Sequence, residues 1–89
     1  MNRYPVEPGC VVRSLAGRDE GRLFIVVSEL DQDYVLVADG GLRGVSRPKK
    51  KRRKHLRPTG TVCQDLKQRL LEGHEVTDLE LRQRIKEEG

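Results

Sequence analysis

Five consecutive apolar residues at 23–27, Leu-Phe-Ile-Val-Val, constrain the fold of this 89-residue chain more than any other feature. The segment is rich in β-branched and aromatic residues, which favour strands. A strand with one face in water alternates apolar and polar residues, whereas this one would bury both faces. The segment therefore predicts a strand in a small closed barrel rather than in a half-exposed sheet.

Glycine-containing turns separate this strand from other β-type segments on either side. We predict strands over residues 10–15, 22–28, 34–38 and 42–46. Gly17 and Gly21, and the tripeptide Asp39-Gly40-Gly41, supply the backbone angles that tight turns require. Four short strands in about forty residues predict an antiparallel meander, which is stable at this size only when it closes. We therefore expect a small SH3-like barrel of four to five antiparallel strands.

The spacing of apolar residues becomes helical after residue 60. Residues 61–89 predict two short helices joined at 73–75, and Thr77 and Glu80 have the spacing of a capping box. Each helix is too short to be stable alone in water, so the two must pack on the barrel or on each other. We thus expect a barrel over residues 1–60 and an appended helical hairpin. The residues predicted to make the contact are Leu66, Leu70, Leu81 and Ile85.

Residues 47–57 hold eight Lys and Arg side chains among eleven residues and no acidic one. The whole chain has 18 basic and 14 acidic side chains, so the part outside this basic run has a net charge of −4. One concentrated cationic segment on a slightly acidic body indicates a polyanionic partner. Pro48 and the six cations that follow it predict an exposed loop at 47–54, disordered when unbound. Leu56 marks a short returning strand.

Basic side chains that reach phosphates are the predicted binding residues, because Lys and Arg neutralise phosphates and release counterions. Most belong to the basic run: Arg47, Lys49, Lys50, Lys51, Arg52, Arg53, Lys54, His55 and Arg57. Arg13 and Arg43, on strands or beside turns, extend the cationic surface. A solvated charge run without a partner is one alternative. A membrane surface is another, but no amphipathic apolar face or lipidation signal accompanies the run.

The turn at 16–21 is a second candidate contact. Arg18 lies at its tip, and the amides of Gly17 and Gly21 could approach a phosphate closely. The alternative is that the glycines only form the turn and Arg18 pairs with a neighbour. Asp19 is expected to organise the turn through its own backbone contacts.

Other classes of function find little support in the sequence. No apolar stretch is long enough to cross a bilayer and no secretory signal is readable, so we expect a cytoplasmic protein. Cys10 and Cys63 match no metal spacing and are expected to be reduced and buried. No nucleophile motif or phosphate-cradling loop is visible, so we expect neither an enzyme nor a cofactor or metal.

Aromatic residues are few: Tyr4, Phe24 and Tyr34. Phe24 belongs to the apolar run and is expected in the core, which leaves at most two rings for stacking on bases. Modules that read unpaired bases usually display several exposed rings. The composition therefore predicts recognition of shape and phosphates, with little sequence specificity.

Residues 9–27 resemble the KOW motif of ribosomal proteins and transcription elongation factors, in which a glycine-bearing turn joins the first two strands of an SH3-like barrel. Residues 14–19 (Ser-Leu-Ala-Gly-Arg-Asp), residues 38–40 (Ala-Asp-Gly) and the lysine-rich run look more specifically like large-subunit ribosomal proteins of the fourteen-e type. The likeness covers residues 8–57, and the helical hairpin lies outside it. The resemblance implies an RNA-binding, ribosome-associated protein.

We therefore predict a monomer that contacts the phosphate backbone of structured RNA, and the resemblance implies ribosomal RNA. The alternative is an adaptor of the translation or transcription machinery that docks a partner protein through the barrel or the hairpin. Residues 61–89 hold five basic and seven acidic side chains, a net charge of −2. We therefore expect the hairpin to pack on the barrel or recruit a protein rather than to contact RNA.

Overall fold

A computed structural model describes residues 6–88, which form a five-stranded antiparallel sheet followed by two helices. The strands are β1 (Cys10–Ser14), β2 (Leu23–Glu29), β3 (Tyr34–Ala38), β4 (Lys49–Arg52) and β5 (Leu56–Val62). A 3₁₀ turn at Arg53–His55 joins β4 to β5. The helices are α1 (Gln64–Leu71) and α2 (Asp78–Glu88).

The strand order β4-β3-β2-β1-β5 places the last two strands at opposite ends of the sheet. A three-residue 3₁₀ turn nevertheless connects them directly. The sheet must therefore curl until its two ends approach each other. This barrel-like sheet, followed by two helices, confirms the fold class that the sequence predicts.

The apolar run of β2 is buried on both faces by two different parts of the molecule. Phe24 and Val26 lie in the barrel interior, where they join buried side chains of β1, β3 and β5. Ile25 belongs to a second core, which contains Leu66 of α1 and Leu81 of α2. The strand keeps the period of two that a pleated sheet requires. The run is continuous because the helices cover the face of β2 that the barrel does not enclose.

The helical hairpin packs on the sheet through the four predicted residues. Leu66 and Leu81 are fully buried, and Leu70 and Ile85 are half-buried against the same core. This contact confirms the predicted packing of the hairpin. It also supplies the tertiary support that two short helices need.

The predicted capping box starts α2. The hydroxyl oxygen of Thr77 accepts the backbone N–H of Glu80 at 3.2 Å, and the carboxylate of Glu80 accepts the backbone N–H of Thr77 at 2.9 Å. Arg69 of α1 also pairs with Glu80. The Arg69 guanidinium and the Thr77 N–H lower the pKa of Glu80 to about 2. One carboxylate therefore caps α2 and ties it to α1.

The predicted fourth strand at 42–46 is wrong, because these residues form turns and bends. Side-chain carboxylates take the backbone donors that a strand ladder would use. Asp39 accepts the N–H of Arg43 at 3.0 Å, and Asp78 on α2 accepts the N–H of Val45 at 2.7 Å. The segment is thereby folded against the helical hairpin rather than paired in the sheet.

The predicted loop at 47–54 is also wrong, because its middle part, residues 49–52, is β4. In the ladder with β3, Lys51 lies opposite Val35 and Lys50 lies opposite Leu36. Leu56, predicted to start a short returning strand, is the first residue of a seven-residue strand that pairs with β1. The basic run therefore supplies β4 at one end of the sheet and the start of β5 at the other.

Leu81→Ala should lower the free energy of unfolding by about 2–5 kcal/mol, because it opens a cavity beneath the helices. Leu79 lies two residues earlier on the same helix and is 55% exposed, so Leu79→Ala is the matched control. The control should change stability by less than about 0.5 kcal/mol. Urea denaturation followed by circular dichroism measures both. Equal losses in the two variants would contradict the packing described here.

Candidate nucleic-acid interface

Neighbouring side chains of β4 point to opposite faces of the sheet and so divide the basic run into two sets. Lys51 is only 7% exposed and Lys49 is half-buried. Lys50 and Arg52, between and beside them, are exposed. The strand therefore has an interior pair of lysines and an exterior pair of cations.

Asp19, in the turn between β1 and β2, holds the interior pair. Its Oδ2 accepts from Lys49 Nζ at 2.7 Å, and its Oδ1 accepts from Lys51 Nζ at 2.9 Å and from Ser14 Oγ at 2.7 Å. Lys51 also donates to the carbonyl oxygen of Ala16 at 2.9 Å. The buried lysine is thus neutralised and hydrogen-bonded, as a buried charge must be.

These donors keep the carboxyl group of Asp19 ionised. Burial raises the pKa of its carboxyl group, but hydrogen bonds from Lys49, Ser14 and Lys51 outweigh that effect and hold the pKa well below its ordinary value. Asp19 also accepts the N–H of Arg22 on its backbone carbonyl at 2.9 Å, which helps form the predicted turn. Its role is wider than predicted, because its side chain ties that turn to β4.

Arg53, just after β4, is likewise engaged within the fold. Its guanidinium donates to Glu29 Oε1 at 2.7 Å and to the carbonyl oxygen of Val6 at 2.7 Å. Together with Lys49 and Lys51, it is one of three predicted phosphate contacts that pair with a carboxylate in the described residues. These three side chains position the basic run.

The exterior cations of β4 lie around a tyrosine ring. Lys50 Nζ is 4.5 Å from the centre of the Tyr34 ring, and Arg52 Cζ is 5.3 Å from it. Contacts of this kind at exposed sites contribute about 0.5–1 kcal/mol each. Lys54 follows and is exposed. We call Lys50, Arg52, Lys54 and Tyr34 the β4 face; Tyr4, the other predicted stacking ring, lies outside the described residues.

Two arginines face each other across the ladder between β1 and β5. Arg13 and Arg57 are register partners, and both are exposed. Like charges directly opposite each other destabilise a sheet. Arg13 donates to the carbonyl oxygen of Gly21 at 2.8 Å, which holds its guanidinium near the 16–21 turn. An anion between the two guanidinium groups would relieve the repulsion.

Arg18 and Arg43, which are far apart in the sequence, meet at a cavity of about 230 Å³. Lys49 also lines this cavity. Arg22, Arg82 and Lys86 were not predicted; they line an adjoining open groove of about 810 Å³. The spacing of four residues between the two α2 cations, which places them on one helix face, could have revealed them.

The remaining predicted residues have simpler positions. Arg47 is exposed in the segment before β4, and His55 is half-buried in the 3₁₀ turn. The carbonyl oxygen of His55 accepts the N–H of Leu15 at 2.8 Å. Gly17 and Gly21 have φ angles of 87° and 89°, which favour glycine.

Ion pairs within residues 6–88 engage seven of the seventeen Lys and Arg side chains there. The other ten have no carboxylate partner in that part of the chain. They are Arg13, Arg18, Arg43, Arg47, Lys50, Arg52, Lys54, Arg57, Arg82 and Lys86. The unpaired positive charge thus lies on the barrel and on one side of α2.

Features of other functional sites are sparse in the described residues. Cys10 and Cys63 are buried, as predicted, and burial raises the pKa of both thiols. Between residues 6 and 88, no group of three His, Cys, Asp or Glu side chains could hold a metal ion. In the same range, no helix has the length and apolarity needed to cross a bilayer.

Comparison with known proteins gives no family. No family model matches the chain, and no curated protein sequence matches it significantly. What the protein binds is therefore inferred from the geometry of its cations.

Asp19→Asn should lower the free energy of unfolding near neutral pH by about 3–5 kcal/mol, because it leaves Lys51 buried without a counter-charge. The pKa of Asp19 is lowered in the fold, so its stabilisation is complete above the ordinary Asp pKa and declines as pH falls below about 4. The difference between wild type and variant should shrink over that range. Urea titrations at several pH values measure it.

Asp33→Asn is the control for this experiment, because Asp33 is an exposed aspartate in the turn after β2. It should leave stability nearly unchanged at every pH. Adding Lys51→Met to Asp19→Asn should restore part of the loss, because no buried lysine then lacks a partner. A difference between wild type and Asp19→Asn that is small or independent of pH would contradict the role given to this carboxylate.

Proposed function

We propose that the protein binds structured RNA, ribosomal RNA in particular, through phosphate contacts made by the β4 face and by Arg13 and Arg57. The observation that carries this proposal is the sorting of charge on β4. Its interior lysines are neutralised by Asp19, whereas Lys50 and Arg52 have no carboxylate partner among the described residues. A row of uncompensated cations on a rigid strand suits a partner with regularly spaced negative charge.

The register between β1 and β5 supports the same proposal. Arg13 and Arg57 are held opposite each other at a cost to the sheet that a bound phosphate would offset. Such contacts position a nucleic acid without reading its sequence. The resemblance to KOW-motif proteins and to fourteen-e type ribosomal proteins agrees with this mode and is the reason for proposing ribosomal RNA.

The surroundings of Tyr34 favour phosphate contacts over base stacking. Lys50 lies over its ring, so the ring is partly covered by a cation. An A-form RNA duplex presents its phosphates on the outside, and proteins recognise it mainly by shape and backbone. The β4 face is therefore better suited to a folded, paired region of RNA than to splayed bases.

Affinity for a paired RNA hairpin should fall steeply with salt. If the six exposed cations Arg13, Arg47, Lys50, Arg52, Lys54 and Arg57 each engage a phosphate, log K against log salt should have a slope of about −4 to −5. Lys50→Gln with Arg52→Gln should reduce the magnitude of that slope by about 1.4–1.8. Fluorescence anisotropy at several salt concentrations measures both slopes.

Lys67→Gln with Arg69→Gln is the charge-matched control, because both cations lie on α1 and are already ion-paired, Lys67 with Glu7 and Arg69 with Glu80. It should leave RNA affinity nearly unchanged. An adaptor that docks a protein through an apolar interface would show little salt dependence. RNA affinity that is insensitive to salt, or equally reduced by the two double variants, would overturn the proposal.

Association with ribosomes is a separate part of the proposal. In a sucrose gradient of cell lysate at low salt, the wild-type protein should sediment with ribosomal particles, and Lys50→Gln with Arg52→Gln should shift it to the top fractions. Sequencing of RNA crosslinked to the protein then identifies the site. Recovery of mainly non-ribosomal RNA would refute the ribosomal part and leave RNA binding intact.

A further inference from the structure

A groove between α2 and the barrel gathers cations that lie far apart in the sequence. It is lined by Arg13 of β1, Arg22 beside β2, and Arg82 and Lys86 of α2. It adjoins the smaller cavity that contains Arg18 and Arg43, since both are lined by Arg22, Asp39 and Leu42. We call the two together the arginine groove.

Positive charge dominates this groove. The described part of the chain contributes seven cations and two carboxylates, Asp19 and Asp39, to its lining. Asp19 is neutralised by Lys49 and by Lys51 beneath the surface. Asp39 accepts backbone N–H groups from its own loop and lies 3.6 Å from Arg22. Both carboxylates therefore serve the fold, and most of the cations have no carboxylate partner among residues 6–88.

The groove is built on rigid structure. The guanidinium of Arg82 donates to the carbonyl oxygen of Gly40 at 2.5 Å, which joins α2 to the loop after β3. Gly40 has a φ of 80°, and a side chain there would collide with the backbone oxygen of Asp78. The loop and the helix are thus in close contact, which brings the cations of the loop and those of the helix to adjoining cavities.

Apolar surface lies among these charges. Leu42 is 80% exposed at the junction of the two cavities, and Leu23 and Ile85 are half-buried in the larger one. Phe24 lines the smaller cavity. A ligand that satisfies both features must carry negative charge together with apolar surface. A nucleotide does so, because its phosphate is anionic and its ribose and base present apolar faces.

We propose that the arginine groove binds an unpaired RNA strand, with one nucleotide of that strand entering the smaller cavity beside Leu42 and Phe24. The cavity of about 230 Å³ is smaller than sites for free small molecules, about 300–1000 Å³, which suits one group inserted from a longer chain. An A-form duplex cannot enter it, whereas an unpaired nucleotide can splay out of its stack.

The assignment differs from the sequence-based expectation that the hairpin does not contact RNA. Its net charge of −2 averages over all faces, whereas Arg82 and Lys86 lie together on the face beside the groove. The inference rests on the proposed function, because it assigns the unpaired part of the same RNA to a second surface. The β4 face then holds a paired region and the arginine groove holds a neighbouring single strand.

The test compares two RNA probes, a short oligouridylate and a fully paired RNA duplex, by fluorescence anisotropy. Arg82→Gln with Lys86→Gln should weaken oligouridylate binding about tenfold or more and reduce its salt slope by about 1.4. Duplex binding should stay within about twofold, because neither Arg82 nor Lys86 is among the cations assigned to the duplex. Arg82→Lys with Lys86→Arg keeps the charge and should retain most of the affinity for oligouridylate.

Two further variants are needed. One controls for loss of folding in the double variant, and the other tests the apolar contact. Arg43→Gln removes an exposed side chain that has no ion pair in the described residues, and it should also weaken oligouridylate selectively. Leu42→Ala should weaken oligouridylate severalfold without affecting inorganic polyphosphate, which has no apolar surface. Equal effects of Leu42→Ala on the two probes would refute nucleotide insertion.

The outcomes separate this inference from the proposed function. If the wild type binds the duplex through Lys50 and Arg52 but Arg82→Gln with Lys86→Gln leaves oligouridylate binding unchanged, the groove assignment fails and the proposed function stands. If the wild type binds neither RNA, both fail. Competition by an acidic peptide as strong as that by oligouridylate would also overturn the assignment, because the groove would then recognise charge alone.

Discussion

The buried ion pair between Asp19 and Lys51 is the interaction on which the end of the sheet depends. A buried charge that loses its partner destabilises a fold by several kcal/mol, so neither residue could occupy this place alone. With both present, a strand made only of cations can complete the barrel. Lys51 is neutralised in the interior, and Lys50 and Arg52 remain in water. The first four of the six consecutive cations therefore form a strand, because Asp19, 32 residues away in the sequence, neutralises the ammonium group of Lys51.

Local patterns predict those parts of the fold that are stabilised locally. The apolar run of β2, the strand at 34–38 and the capping box of α2 all follow from residue order alone. The errors lie where distant side chains decide the backbone. Residues 42–46 look like a strand, but Asp78, 33 residues beyond Val45, takes one of their backbone donors. Periodicity contains no information about such a partner.

The candidate site, too, has features that the sequence predicts and others that only the folded structure decides. The sequence shows which residues are cationic, but register decides which of them face solvent. One pairing places Lys51 against the core and Lys50 outside, and a shift by one residue would exchange them. Arg82 and Lys86 were missed for another reason, because net charge sums over a helix and hides the asymmetry between its faces. They line the arginine groove only because α2 packs against the loop after β3.

Because β4 holds part of the basic run in a strand, binding a polyanion would cost less conformational entropy. A disordered loop of cations would lose conformational freedom when it met a polyanion, and each long side chain that it immobilised would cost about 0.5–1.5 kcal/mol. On β4 the backbone is already ordered, and Tyr34 holds Lys50 and Arg52 on one face. The remaining cost is the mutual repulsion of the cations, which a bound polyanion would remove. The ion pairs of Asp19 therefore stabilise the barrel and preorganise its cationic surface through the same contacts.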